Sequence, residues 1–206
     1  MRSADVHLRV LQVLLALALA GLFVVSVAVA RTETKPPILR VPAPPDFELR
    51  VNAAGDAFEF EGRVDFGLTE ALRNMVARHP GIRAIHLESQ GGYIAEARGA
   101  VTVLRAHQLK THVSGHCASA CALIFTGGSM RSLGPDGRLG LHGYALQGDR
   151  HFGMIDPVTE MQRDLEIYRA QGLDEAFVAR LAELPQNPMW YPSHAELRAS
   201  RMVTHP

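Results

Sequence analysis

The chain opens on a stretch with almost no polar interruption. From Val10 to Ala30, 18 of 21 residues are apolar and none is charged. As a helix this run would rise about 31 Å, enough to cross a hydrocarbon core. It has no polar face, which argues against a buried core helix. Ala28-Val29-Ala30 also fits a small-x-small cleavage site that would release a chain starting at Arg31. The run exceeds the roughly 7–15 residue core of a signal peptide. Residues 1–31 therefore read as an uncleaved signal anchor, with residues 10–30 in the membrane and a cleaved signal peptide as the alternative. The first reading puts the protein in the inner membrane with its domain facing the periplasm. The second releases it to the periplasm after cleavage near Ala30. Residues 32–46 follow with Pro36, Pro37, Pro42, Pro44 and Pro45, a spacing that forbids a helix and predicts an extended linker.

The pattern then changes to short apolar runs alternating with amphipathic ones, and residues 47–206 read as one domain. Phe47–Val51 and Ala57–Phe60 predict strands around an Ala54-Gly55-Asp56 turn. Leu68–Arg78 has a helical apolar stripe closed by His79-Pro80-Gly81. Ile82–Leu87, Leu109–Val113 and Arg138–His142 predict further strands. Ile94–His107, Ala120–Thr126, Pro157–Ala170 and Asp174–Leu184 predict helices. The tail predicts a short helix at Ser193–Arg198 and a last strand at Met202–Thr204. Strand–helix alternation with short connections predicts an α/β fold with parallel pairing.

Charge and composition narrow the chemistry. Lysine plus arginine (21) balances aspartate plus glutamate (21), so nothing electrostatic points to nucleic acid. Two cysteines are too few for a disulfide scaffold or a four-cysteine zinc site. No nucleotide, metal or other cofactor motif is present.

The candidate chemistry lies in three segments. Gly115-His116-Cys117-Ala118-Ser119-Ala120-Cys121 follows a predicted strand and opens a predicted helix, so Ser119 is either a helix cap or an exposed nucleophile. The amide of Ala120 would face an oxyanion formed at Ser119. Glu88-Ser89-Gln90-Gly91-Gly92 ends another strand. Gly91 would offer a second oxyanion amide there, and Gly91 with Gly92 a backbone edge for an extended peptide. Leu139-Gly140-Leu141-His142 puts a candidate general base at a strand end. Cys117 and Cys121 bracket Ser119; outside the cytoplasm a disulfide between them is chemically allowed, and two small buried thiols are the alternative.

Together these segments resemble the Clp protease proteolytic subunit and its crotonase-like superfamily. Ser89-Gln90-Gly91-Gly92, the Gly115–Cys121 turn and Gly140-Leu141-His142 stand in that family's order, and Ser193–Thr204 is similar to its closing helix and strand. Cys-Ala-Ser-Ala-Cys behind an apolar segment resembles an exported, membrane-anchored bacterial branch. The resemblance implies a spiral of repeated ββα units, a Ser119 nucleophile, a His142 base, oxyanion amides from Gly91 and Ala120, a peptide or protein substrate, and a homo-oligomer. The family's aspartate precedes an aromatic-x-Ser segment. Here that region reads Gln186-Asn187-Pro188-Met189-Trp190-Tyr191, without a carboxylate; Asn187 is the nearest candidate to orient the imidazole, and Asp156, Asp164 or Asp174 could substitute only through a rearranged loop. A serine–lysine dyad does not fit, because Lys35 lies in the linker and Lys110 precedes Ser119. Coenzyme A chemistry does not suit an exported domain. The competing expectation is an inactive peptide-binding or scaffold domain.

Overall fold

The computed structural model describes residues 11–18, 46–144 and 156–205. The chain divides into two units, Met1–Ala43 and Pro44–Pro206. In the first, residues 11–18 form helix α1 with exposed side chains. No helix among the described residues is long and apolar enough to cross a membrane. Most of the span expected over 10–30, with the cleavage site at Ala30, lies outside the described residues.

The second unit is a mixed α/β domain. Its main sheet runs β1 (Phe47–Val51), β2 (Phe58–Gly62), β3 (Ala84–Glu88), β4 (Lys110–Val113) and β6 (Arg131–Leu133) in that spatial order. β1 and β2 form an antiparallel hairpin, and every later pair is parallel. A second, two-stranded parallel sheet pairs β5 (His116–Ala118) with β7 (Arg138–Gly140). Strand alternation sends Phe58, Phe60, Ile85 and Leu87 inward and leaves Glu59, Glu61 and His86 on the other face.

Helices cover the apolar face. α2 (Leu68–Arg78) buries Leu68, Leu72, Met75 and Val76, one stripe at helical spacing. α3 (Ile94–Ala106) buries Ala97, Ala100, Val101, Val103 and Leu104. All seven residues of α4 (Ala120–Thr126) are buried. Its sequence, Ala-Cys-Ala-Leu-Ile-Phe-Thr, has no polar face, as a helix surrounded by protein requires. α5 (Pro157–Ala170), α6 (Glu175–Glu183) and α7 (His194–Ala199) follow, with α5 and α6 capped at their N-termini by Asp156 and Asp174 and α7 by a Ser193–Glu196 capping box.

One expectation needs correction. The strand expected at Met202–Thr204 does not form. Val203 N–H bonds the Leu197 carbonyl, and the amides of Thr204 and His205 both bond the Arg131 carbonyl, so this tail is pinned end-on without a ladder. The Arg131 guanidinium, 4% exposed, completes the anchor. It donates to the carbonyls of Met202 (2.9 Å), Gly128 (3.2 Å), Gln171 (3.3 Å) and Arg201 (2.7 Å). These lie at or just beyond the ends of α4, α5 and α7, where helix dipoles favour a cation. The Gly115–Cys121 segment follows β4 and opens α4 as expected, and it also contains a short strand of its own. His116–Ala118 is a strand, too short for alternation to reveal, and Ser119 alone joins it to α4.

Candidate active site

Three main-chain pairings bring distant segments together. Beyond β3, Ser89 bridges Cys117: its amide donates to the His116 carbonyl, and its carbonyl accepts from Ala118. β5 pairs with β7 so that Ala118 stands opposite Gly140, and Ser119 N–H donates to the Gly140 carbonyl at 2.8 Å. Leu141 then exchanges both main-chain bonds with Trp190, at 2.8 and 2.7 Å. The residues of three sequence segments thus meet at the ends of the strands, where open α/β folds place their clefts.

Ser119 occupies the N-cap position of α4, yet its side chain makes no capping hydrogen bond. Its backbone sits at φ +56°, ψ −125°, an unfavourable region for a residue with a Cβ. That turn aims the hydroxyl at His142, whose Nε2 lies 2.8 Å from Oγ. The other ring nitrogen, Nδ1, lies 2.7 Å from the Gly143 carbonyl oxygen. A carbonyl can only accept, so Nδ1 carries a proton, and in that tautomer Nε2 is the acceptor for the serine O–H.

Gly91 lies against the serine turn. A Cβ on it would stand 2.7 Å from the Ala118 oxygen, 2.7 Å from Ser119 Cβ and 3.1 Å from Ala120 N, and its φ is +101°. Only glycine fits such an approach. Its amide donates to Ser89 Oγ at 3.0 Å. The Ala120 amide, at the first helical position of α4, has no intrahelical acceptor. Gly92 bridges Val64 through the Gly91 carbonyl and the Tyr93 amide, which turns its own N–H and C=O to the opposite side. Gly91, Gly92, Ser119, Ala120 and His142 all line one cavity of about 960 Å³. That volume is sufficient for several residues of an extended chain. Tyr93, 40% exposed, lines it too and stacks on Phe66, 66% exposed, with ring centroids 4.2 Å apart.

The cysteines are joined. Cys117 and Cys121 form a disulfide with Cα atoms 5.3 Å apart, and both are fully buried. It spans the Ser119 turn from the middle residue of β5 to the first turn of α4.

Asn187 is the expected site residue that the structure does not bring in. It is exposed, and the Nδ1 proton goes to the Gly143 main chain instead. Its neighbours Gln186 and Met189 line the cavity. Sequence reasoning missed Gly143, because a main-chain acceptor has no residue-type signature, and it missed Ser89 as the partner of the Gly91 amide. Glu88 is a further brace: its carboxylate accepts from His116 N–H at 2.9 and 3.1 Å. Among the described residues no group of three or more His, Cys, Asp or Glu side chains could hold a metal ion.

No family model matches the sequence, and no curated protein matches it. The fold does match solved structures. A single-residue variant of ClpP1 from Listeria monocytogenes superposes with a TM-score of 0.59 at 16% identity, covering 72% of this chain and 88% of that one. The domain therefore has a ClpP-like α/β fold.

Proposed function

We propose that this domain is a serine-type hydrolase that cuts peptide bonds, with Ser119 as nucleophile and His142 as general base. The single observation that carries the reading is the Ser119 Oγ to His142 Nε2 hydrogen bond, with the ring held in the accepting tautomer by Gly143. Ser119 Oγ attacks the scissile carbonyl carbon as its proton passes to Nε2. The tetrahedral oxyanion takes hydrogen bonds from the Ala120 amide and from the Gly91 amide, once Ser89 releases the latter. Collapse breaks the C–N bond, and the imidazolium returns its proton to the leaving amine. Water repeats the sequence to free the acid and Ser119. An extended peptide lies along the open N–H and C=O of Gly92 as an added strand.

The rival reading, a peptide-binding domain that does not cut, draws on the Nδ1 contact. A main-chain carbonyl orients the ring but carries no charge to stabilise imidazolium, and in a serine protease triad loss of the acid costs about 10⁴ in turnover. A fluorophosphonate probe decides between them. The folded domain should label, and Ser119→Ala and His142→Ala should not. Absence of labelling in folded protein, or labelling that survives Ser119→Ala, overturns the hydrolase reading.

The same proposal places the domain outside the cytoplasm, in the periplasm or tethered to the inner membrane through residues 10–30, and in a homo-oligomer like those ClpP-like folds form. Fractionation with a protease-accessibility assay tests the first. Light scattering of the purified chain tests the second.

A further inference from the structure

Behind His142 lies a buried polar cluster that the chemistry above does not use. Asp164 of α5 has a fully buried carboxylate. Its Oδ1 accepts from Arg98 Nε of α3 at 2.5 Å, and its Oδ2 accepts from the Tyr144 hydroxyl. Arg98 also pairs with the Glu160 carboxylate and donates to the Glu160 carbonyl at 2.9 Å. Burial pushes the Asp164 carboxyl up against the opposing pull of Arg98 and Tyr144. Burial likewise pushes up the Tyr144 hydroxyl, which stays protonated as a donor.

Tyr144 is two residues beyond the candidate base. The carbonyl that accepts the His142 Nδ1 proton belongs to the Gly143–Tyr144 peptide unit, which is planar and turns as one piece. On its near side Gly143 N–H donates to the Pro185 carbonyl at 2.9 Å. On its far side the Tyr144 ring is tied to Asp164. With both flanks held, the direction of the carbonyl is held, and with it the plane and tautomer of the imidazole. A Cβ on Gly143 would fall on the Leu184 carbonyl, so the near side has no freedom to compensate.

We infer that Asp164, acting through Tyr144, is the positioning residue for His142, in the place of the acid that a triad sets directly on the imidazole. This inference rests on the hydrolase reading for its catalytic meaning. The action is orientation and not charge: the Asp164 carboxylate is already paired with Arg98 and is separated from the ring by a side chain and a peptide. That distinction gives the test its direction. An asparagine at 164 can accept from Arg98 through its oxygen and donate to the Tyr144 hydroxyl through its amide, keeping both links. Alanine keeps neither.

The experiment compares wild type, Tyr144→Phe, Asp164→Asn and Asp164→Ala by fluorophosphonate labelling rate and by the NMR signal of the His142 Nδ1 proton. Tyr144→Phe and Asp164→Ala should label about tenfold or more slowly, the scale expected for a sub-ångström misplacement of a base, and should lose the Nδ1 signal to solvent exchange. Asp164→Asn should keep most of the rate and the signal. A wild-type rate with an intact Nδ1 signal in Tyr144→Phe overturns the inference, as does an Asp164→Asn loss equal to that of Asp164→Ala. If the wild type never labels, the hydrolase reading fails. The Nδ1 signal across the four proteins then still decides whether Asp164 positions His142.

Discussion

Gly91→Ala perturbs the candidate site with a size that can be worked out. The new Cβ would stand 2.7 Å from both the Ala118 oxygen and Ser119 Cβ, where ordinary contact begins at 3.4 Å. The turn must therefore give way by about 0.7 Å, the difference between those distances. The atoms that give way belong to Ala118 and Ser119 and flank the Ala120 amide. Displacement of that order, together with loss of the Gly91 donor geometry, should slow acylation of Ser119 about 100-fold. Forcing an alanine to positive φ adds a stability cost of about 1–2 kcal/mol, which by itself would not change the site. Gly55→Ala separates the two effects. Gly55 also has positive φ, +77°, but a Cβ there meets nothing within 4 Å. Both variants should lose stability in urea unfolding, and only Gly91→Ala should lose fluorophosphonate labelling. Equal labelling rates for the two variants would refute the close packing of Gly91 on the Ser119 turn as a determinant of chemistry.

Three other outcomes follow from the structure. Thiol titration of the denatured, unreduced protein should find no free thiol; reduction, or Cys117→Ala with Cys121→Ala, should cost about 2 kcal/mol for so short a loop and slow labelling. Arg131→Met leaves at least four carbonyls without their donor, those of Met202 and Gly128 in buried bonds and those of Gln171 and Arg201 in part-buried ones, and should cost about 3 kcal/mol in denaturant unfolding, with Arg131→Lys intermediate because it restores some donors. Glu96 caps α2 from α3, accepting from the Gly67 amide at 3.1 Å and the Thr69 amide at 2.8 Å. Burial raises its carboxyl, but hydrogen bonds from Thr69 and Gly67 outweigh that and hold it below the ordinary value of 4.5. Its stabilisation is thus full above pH 4.5 and lost as pH falls through the lowered value. Glu96→Gln should cost about 0.5–1 kcal/mol at neutral pH, allowing for its partial exposure, and should flatten the acid limb of stability against pH.

Ser119 and His142 were legible because each stands at a strand end beside small residues, and because Gly91-Gly92 marks a third strand end that only backbone can approach. The helices were legible for a related reason: Leu68, Leu72, Met75 and Val76 repeat at a period that no strand shares. What could not be read was whatever depended on main chain or on distant pairing. Asn187 was the nearest side chain able to replace a carboxylate, yet the imidazole found its acceptor one residue away in a peptide carbonyl. In sequence Asp164 is, with Asp156 and Asp174, an acid that could serve only through a rearranged loop, and only the fold buries it between Arg98 and Tyr144. β5 and β6 have three residues each, too few to set up alternation. The chemistry of the two cysteines allowed both a bond and free thiols, and the folded spacing joins them.

The Leu141–Trp190 bridge and the Gly143–Pro185 hydrogen bond bear on the order in which the site comes into being. The serine turn is braced by residues 88–121 and by β7, all made before His142. The segment carrying His142 is clamped by Pro185 and Trp190, which lie far beyond it in sequence and are made later. A nascent or truncated chain ending before Pro185 would hold its serine ready while the histidine segment lacked its clamp. On the hydrolase reading, the base thus gains its fixed position later in translation than the nucleophile does.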